Sequence, residues 1–236
     1  MPRELPWMKI SVVIPTIDAA ARLPACLNAL IPAAVDGLVR EVIVVDGGSL
    51  DETAKIADAA GAKFINAPKG RGAQLAVGAK EARGEWLLFL HADTVLGEGW
   101  ADEARQLIEK DKYAAGVFRL RFDSDDWRAM LIAFGARQRS RWFGAPYGDQ
   151  GLLISREIYD EIGGYNEAPL FEDVDIIDRL KRQKGNGAIQ QFSTYATTSS
   201  MRYERDGYFA RVFGNAVLFA RYRLGASPEE LAKAYR

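Results

Sequence analysis

Apolar positions along the chain fall into short runs separated by amphipathic stretches, and the two kinds alternate regularly over the first ninety or so residues. Residues 10–14 and 42–45 are almost wholly β-branched or aliphatic, which suits strands buried on both faces. Residues 63–65 and 86–90 continue the series, while 23–30, 52–60 and 73–82 repeat their apolar positions at helical spacing. Pro15 and Gly61 close the first strand and the second helix where a chain break is expected. This βαβαβαβ order predicts a parallel sheet with right-handed crossovers and helices on both faces, an α/β Rossmann-like arrangement. Beyond residue 95 the rhythm loosens, with a strand predicted at 115–122, helices near 127–139 and 174–182, and a strand at 188–192. No internal repeat and no Pro- or Ser-rich linker divides the chain. Residues 1–236 are therefore expected to form one domain, with a regular part at about 9–95 and a less regular part at about 96–236.

The segment 208–224 has two readings. Phe209, Val212, Phe213, Val217, Leu218 and Phe219 interleave with Arg211, Arg221 and Arg223, as in an ordinary core helix or in an amphipathic helix lying on a membrane surface. The core helix is the first expectation. No apolar run reaches the roughly 18 residues of a membrane span, and residues 1–8 lack the apolar centre of a signal peptide, so a cytoplasmic protein is expected, either free or peripheral at the inner face of the membrane.

Charge narrows the partners further. Lys and Arg number 31 against 32 Asp and Glu, and a formal net charge of -1 gives no global field for nucleic acid. Arg137, Arg139 and Arg141 beside Trp142 and Phe143 form a local basic cluster suited to solvent or a phosphate. Cys26 is the single cysteine, so no intrachain disulfide is possible, and a packed thiol is expected there.

The polar residues that end the strands are the candidates for chemistry. In open α/β sheets ligands bind beyond the carboxyl ends of the strands. Asp46 ends the second run and can accept hydrogen bonds from a base or ribose, while Gly47 and Gly48 permit a tight turn and close approach of a ligand. His91 and Asp93 end the strand at 86–90. Asp93 is a candidate ligand for a divalent cation, and His91 is either a further ligand or a satisfied strand-end histidine. Arg71, in the glycine-rich lead-in to a helix, suits a diphosphate, although the P-loop spacing is missing. Glu172 and Asp173 open a helix, where acids favour the dipole whatever the function and can also act as a general base. The loop Tyr147, Gly148, Asp149, Gln150, with Trp142 nearby, has the composition of a pocket lining and is expected to bind the acceptor.

The order Ser11-Val-Val-Ile-Pro15-Thr16, then Val45-Asp46-Gly47-Gly48-Ser49, then His91-Ala92-Asp93, then Glu172-Asp173 resembles the family 2 inverting glycosyltransferases of the GT-A fold. It is most similar to the small bacterial branch with a Pro-Tyr-Gly-Asp-Gln loop and unassigned acceptors. The resemblance implies a nucleotide-sugar half followed by an acceptor and catalytic half. It implies that Pro15, Thr16, Asp18, Asp46, Gly47, Gly48 and Arg71 meet the donor nucleotide, that Asp93 with His91 holds Mg2+ or Mn2+, and that Asp173 is the base. The implied donor is a UDP or GDP sugar, and the acceptor is an unidentified hydroxyl, free or lipid-linked. Two departures stand out: a lone Asp18 followed by Ala19-Ala20 where an acidic pair is usual, and His91 where many relatives have an acid. No Gln-x-x-Arg-Trp sequence of processive synthases is present, so a single transfer is expected. Two other functions compete: a nucleotidyltransferase that makes the activated sugar, which lacks its Lys/Arg-bearing phosphate loop here, and a catalytically silent nucleotide-sugar binder.

Overall fold

The computed structural model describes residues 9–110 and 115–235; the signal-peptide expectation at residues 1–8 lies outside them. Eight strands form one sheet: β1 (Ile10–Thr16), β2 (Val39–Asp46), β3 (Lys63–Asn66), β4 (Trp86–Phe89), β5 (Val95–Leu96), β6 (Ala115–Phe122), β7 (Leu152–Ser155) and β8 (Ile189–Thr198). Their order across the sheet is β3-β2-β1-β4-β7-β6-β8-β5. The first four pair in parallel, as the alternating pattern requires. β7 then runs antiparallel to both β4 and β6, β8 is parallel to β6, and β5 is antiparallel to β8. One sheet thus takes strands from both parts of the chain, and the β4/β7 pairing joins them.

Eleven helices flank it among the described residues: α1 (Leu23–Asn28), α2 (Ile31–Val35), α3 (Thr53–Ala59), α4 (Arg71–Glu81), α5 (Trp100–Lys110), α6 (Trp127–Phe143), α7 (Arg156–Glu161), α8 (Glu172–Lys184), α9 (Met201–Asp206), α10 (Tyr208–Arg223) and α11 (Pro228–Ala234). The helix expected at 23–30 ends at Asn28, and a second short helix, Ile31–Val35, follows it with Pro32 in its first turn, where a missing N–H costs nothing. Two apolar cores result, one on each face of the sheet. Val12, Ile14, Val44 and Leu88 belong to the first, and Val13, Ile43, Val45 and Leu87 to the second, which is the period-two alternation of strands buried on both sides. α4 lies so close to the sheet that a Cβ on Gly78 would stand 2.9 Å from Val45 Cγ2 and closer still to Val13 Cγ1. That approach fixes the start of α4 over the strand ends.

The core-helix reading of residues 208–224 is overturned. α10 buries only Tyr208 and Leu218, and Phe209, Val212, Phe213 and Val217 face solvent. Its apolar pattern has two faces, and the chain folds only the narrower one inward.

Candidate active site

β1 is flanked by β2 on one side and β4 on the other, so the chain reverses its direction of travel across the sheet there. The crevice beyond the ends of β1, β2 and β4 is the place such a sheet offers a ligand. Two loops meet at this edge and are fastened to each other. Asp18, in the left-handed region at φ 46°, accepts from Leu50 N at 2.8 Å and donates its own N–H to Ser49 Oγ at 2.8 Å. Asp51 accepts from Ala20 N at 2.9 Å, and Thr53 Oγ1 accepts from Ala19 N at 2.9 Å. Asp46 is almost wholly buried and accepts from Thr16 Oγ1, Gly48 N, Ser49 N and Ser49 Oγ. Burial pushes its carboxyl up, but the hydrogen bonds led by Ser49 outweigh it and leave the group below its ordinary range. Asp46 therefore holds the turn that follows β2.

Gln74 on α4 was not singled out by sequence, yet it ties this edge together. Its Nε2 donates to Thr16 O and Val45 O, each at 2.7 Å, joining the ends of β1 and β2. Gly47 lies directly beneath it, with room for a Cβ only 3.2 Å from Gln74 Nε2.

The chain turns sharply after β4, with Thr94 N bonded to His91 O at 3.1 Å, and the turn sends its two polar side chains to different partners. Asp93 is half-buried and, among the described residues, accepts one long hydrogen bond, from Thr198 Oγ1 at 3.3 Å. His91 faces the 147–150 loop and the start of α8: a Cβ on Gly148 would stand 3.0 Å from His91 Nε2 and 3.3 Å from Asp173 Oδ2. Burial, followed by the charges of Arg71 and Arg202, pushes the imidazole down to about 3, so the ring is neutral. Among the described residues no three His, Cys, Asp or Glu side chains gather into a group able to hold a metal. Cys26 is buried against His91 O, and burial pushes its thiol up to about 12, which makes it an inert packed group as expected.

The two acids that open α8 diverge. Asp173 reaches the cleft, where Oδ2 accepts from Gly148 N at 2.7 Å. Glu172 is fully buried, pairs through Oε1 with Arg71 Nε, and has no hydrogen-bond partner at Oε2 among the described residues. Burial raises its carboxyl above the ordinary range against the pull of Arg71. Arg71 is thus held by Glu172, which also lines the small cavity beside His91, Gly148 and Asp173. Phe171, the residue before them, takes the left-handed conformation at φ 63°, which is costly for an aromatic residue, and stacks on Tyr222 of α10 with centroids 4.7 Å apart.

The 147–150 loop closes over Asp173. Tyr147 lies between the Arg139 guanidinium, 3.7 Å from its ring centroid, and Phe219 at 6.1 Å. Gln150 is fully buried, donating to Phe118 O at 2.9 Å and accepting from Ser140 Oγ at 2.7 Å, so it anchors the loop from below. Asp149 Oδ1 is buried without a hydrogen bond, and burial pushes the carboxyl up to about 6, Arg139 opposing the rise and Asp173 adding to it. Trp142 stands 70% exposed near the end of α6. Thr198 and Arg202 join the site from distant segments with no local pattern to mark them, whereas Arg139 comes from the basic cluster and Phe219 from the amphipathic stretch that the sequence displays.

This mixed sheet with helices on both faces is shared, at the level of fold, with solved GT-A structures. S. aureus TarS is 21% identical with a TM-score of 0.63, over 80% of this chain and 60% of that one. Glucosyl-3-phosphoglycerate synthase from Mycobacterium tuberculosis, solved with Mn2+, UDP and glucosyl-3-phosphoglycerate, is 22% identical with a TM-score of 0.57, over 81% and 70%. The profile "Glycosyl transferase family 2" matches residues 11–166, and the chain belongs to that family. An uncharacterized glycosyltransferase of Rickettsia felis is 34% identical over 84% of this chain and 70% of its own length. A PGL/p-HBAD biosynthesis glycosyltransferase of Mycobacterium bovis is 39% identical over 37% of this chain, and the match spans only 36% of that relative.

Proposed function

We propose that the protein transfers a sugar from a nucleoside diphosphate to an acceptor hydroxyl with inversion at the anomeric carbon. The observation that supports this most is the meeting of Asp173, His91 and the Gly148 amide at the mouth of β4, on the same sheet edge as Asp93 and the Thr16–Asp46 turn. Asp173 takes the proton of the acceptor hydroxyl as that oxygen attacks the anomeric carbon on the face opposite the departing diphosphate. Neutral His91 lies beside it and adds no positive charge that would weaken the base. The turn built on Asp46, Asp18 and Gln74 gives the nucleotide a rigid shelf.

Asp93 would hold a divalent cation, Mg2+ or Mn2+. Its carboxylate suits one: it is half-buried and nearly free of protein donors. A chain that offers one or two ligands leaves the remaining positions to substrate oxygens and water, as Mg2+ sites commonly do. Such an ion, when bound, neutralises charge on the leaving diphosphate.

The cavity beside His91, Gly148 and Asp173 measures about 10 Å³, against roughly 300 Å³ or more for a small-molecule pocket. Gly148 N already donates to Asp173 Oδ2 at the edge of this cavity, so the loop forms one wall of the space an acceptor would enter. Calorimetry with UDP and GDP, each with Mn2+, Mg2+ or chelator, tests the donor half of this reading. Metal-dependent binding that Asp93→Asn abolishes is expected. Binding of neither nucleotide under any metal condition would overturn it and favour the silent binder for some other ligand.

A further inference from the structure

Helices α6 and α10 leave a broad apolar face uncovered. On α6, Trp127, Met130, Leu131 and Phe134 follow one another at helical spacing, and each is more than half exposed. The opposite face of the same helix, Ala129, Ala133 and Ala136, is the one that packs on the protein, so the outer stripe is not a core face left partly open. On α10, Phe209 and Phe213 lie one turn apart, and Phe213 is 72% exposed. The Trp127 and Phe209 rings approach to 6.2 Å, which joins the two stripes into one surface.

α6 has four arginines and α10 has three, and neither helix contains an acid; Arg128, Arg211 and Arg223 are ion-paired with Asp126, Asp206 and Asp178 of other segments. Arg141, seven positions beyond Phe134 on the same stripe, is exposed, as are Arg221 on α10 and Arg202 on α9, and none of the three has an ion-pair partner among the described residues. An exposed apolar stripe with tryptophan and phenylalanine, flanked by unpaired arginines, is the composition that seats a helix in the headgroup layer of an anionic bilayer. No helix of the described residues is long and apolar enough to cross a membrane, so the contact is a surface one.

We propose that the α6/α10 face docks the protein on an anionic phospholipid surface. The site is coupled to that face. Arg139 of α6 and Phe219 of α10 hold Tyr147 between them, so the two helices that would rest on lipid also grip the loop that covers Asp173. Docking goes beyond the transferase reading and needs no turnover, so the two stand or fall separately.

Co-sedimentation with vesicles tests it, using phosphatidylcholine alone and phosphatidylcholine mixed with phosphatidylglycerol. The protein should pellet with the mixed vesicles and not with the neutral ones, and salt should weaken the binding. Phe134→Asp/Phe213→Asp should reduce partitioning at least about tenfold with an unchanged thermal midpoint, because both side chains project into water. Arg141→Glu/Arg221→Glu should remove the preference for anionic vesicles. Absence of binding to the mixed vesicles, or binding that survives both double substitutions, would overturn the proposal. A lipid-free dimer in light scattering that Phe134→Asp/Phe213→Asp dissociates, together with no vesicle binding, would assign the face to a second copy of the chain instead.

Discussion

Replacing Arg71 with methionine isolates the interaction that holds the two acids of α8 in their different roles. Glu172 is fully buried, its Oε1 is met by the Arg71 guanidinium, and Oε2 has no other donor among the described residues. Removing one partner of a buried pair costs about 3–5 kcal/mol, because the remaining charge is left uncompensated. Arg71 is 32% exposed and Glu172 can escape by taking a proton, so the lower end, about 3 kcal/mol, applies. In a chain of this size that is a fall of roughly 6–12 °C in the thermal midpoint. The pH dependence has a definite sign. The folded-state carboxyl of Glu172 lies above its ordinary 4.5, so the folded state holds the proton more tightly than the unfolded one, and stability is full below that ordinary value and lost as pH rises through the folded one. Arg71→Met pushes the folded value higher still, and the deficit against wild type should be largest at alkaline pH and shrink on acidification. Arg71→Met/Glu172→Gln should recover most of the loss, since a neutral amide replaces the stranded charge. Differential scanning fluorimetry across the pH range reads all of this. Equal midpoints at pH 8, or a deficit that grows towards acid, would refute the buried-pair argument.

Three further outcomes follow from single contacts. Gly78→Ala should destabilise by about 1–3 kcal/mol despite alanine's better helix propensity, because its Cβ would collide with Val13 and Val45; chemical denaturation measures it. Gln74→Met should cost about 1–3 kcal/mol by stranding two buried carbonyls, and should weaken nucleotide binding in calorimetry more than a remote mutation of equal cost. Asp149→Asn should raise the thermal midpoint at pH 8 and have little effect near pH 4. The wild-type carboxyl, pushed up to about 6 from 3.8, contributes full stability below the lower value and loses it as pH rises through the higher.

Much of the first part of the fold could be read from the chain because its strands are buried on both faces and announce themselves as unbroken β-branched runs, as at residues 10–14 and 42–45. The direction of β7 could not, since Leu152-Leu-Ile-Ser155 pairs equally well either way until its neighbours are known. Asp173 was legible as an acid at a helix start, whereas the inward turn of Glu172 depends on Arg71, a hundred residues away in the chain. Asp46 was found at its strand end, but its four internal donors come from the folded turn and from Thr16. α10 failed for a different reason: an apolar pattern says which faces can be covered, not which one is.

The central claim is that Asp173 is the base and Asp93 serves the donor. It is tested most directly by measuring UDP and GDP release from a panel of sugar nucleotides, with water or a supplied hydroxyl as acceptor, for wild type and Asp173→Asn, alongside donor binding by calorimetry. The account predicts that Asp173→Asn keeps its donor affinity and loses about 10²–10⁴ in turnover, the usual contribution of a general base. Turnover within a few-fold of wild type, or loss of donor binding in step with turnover, would contradict it.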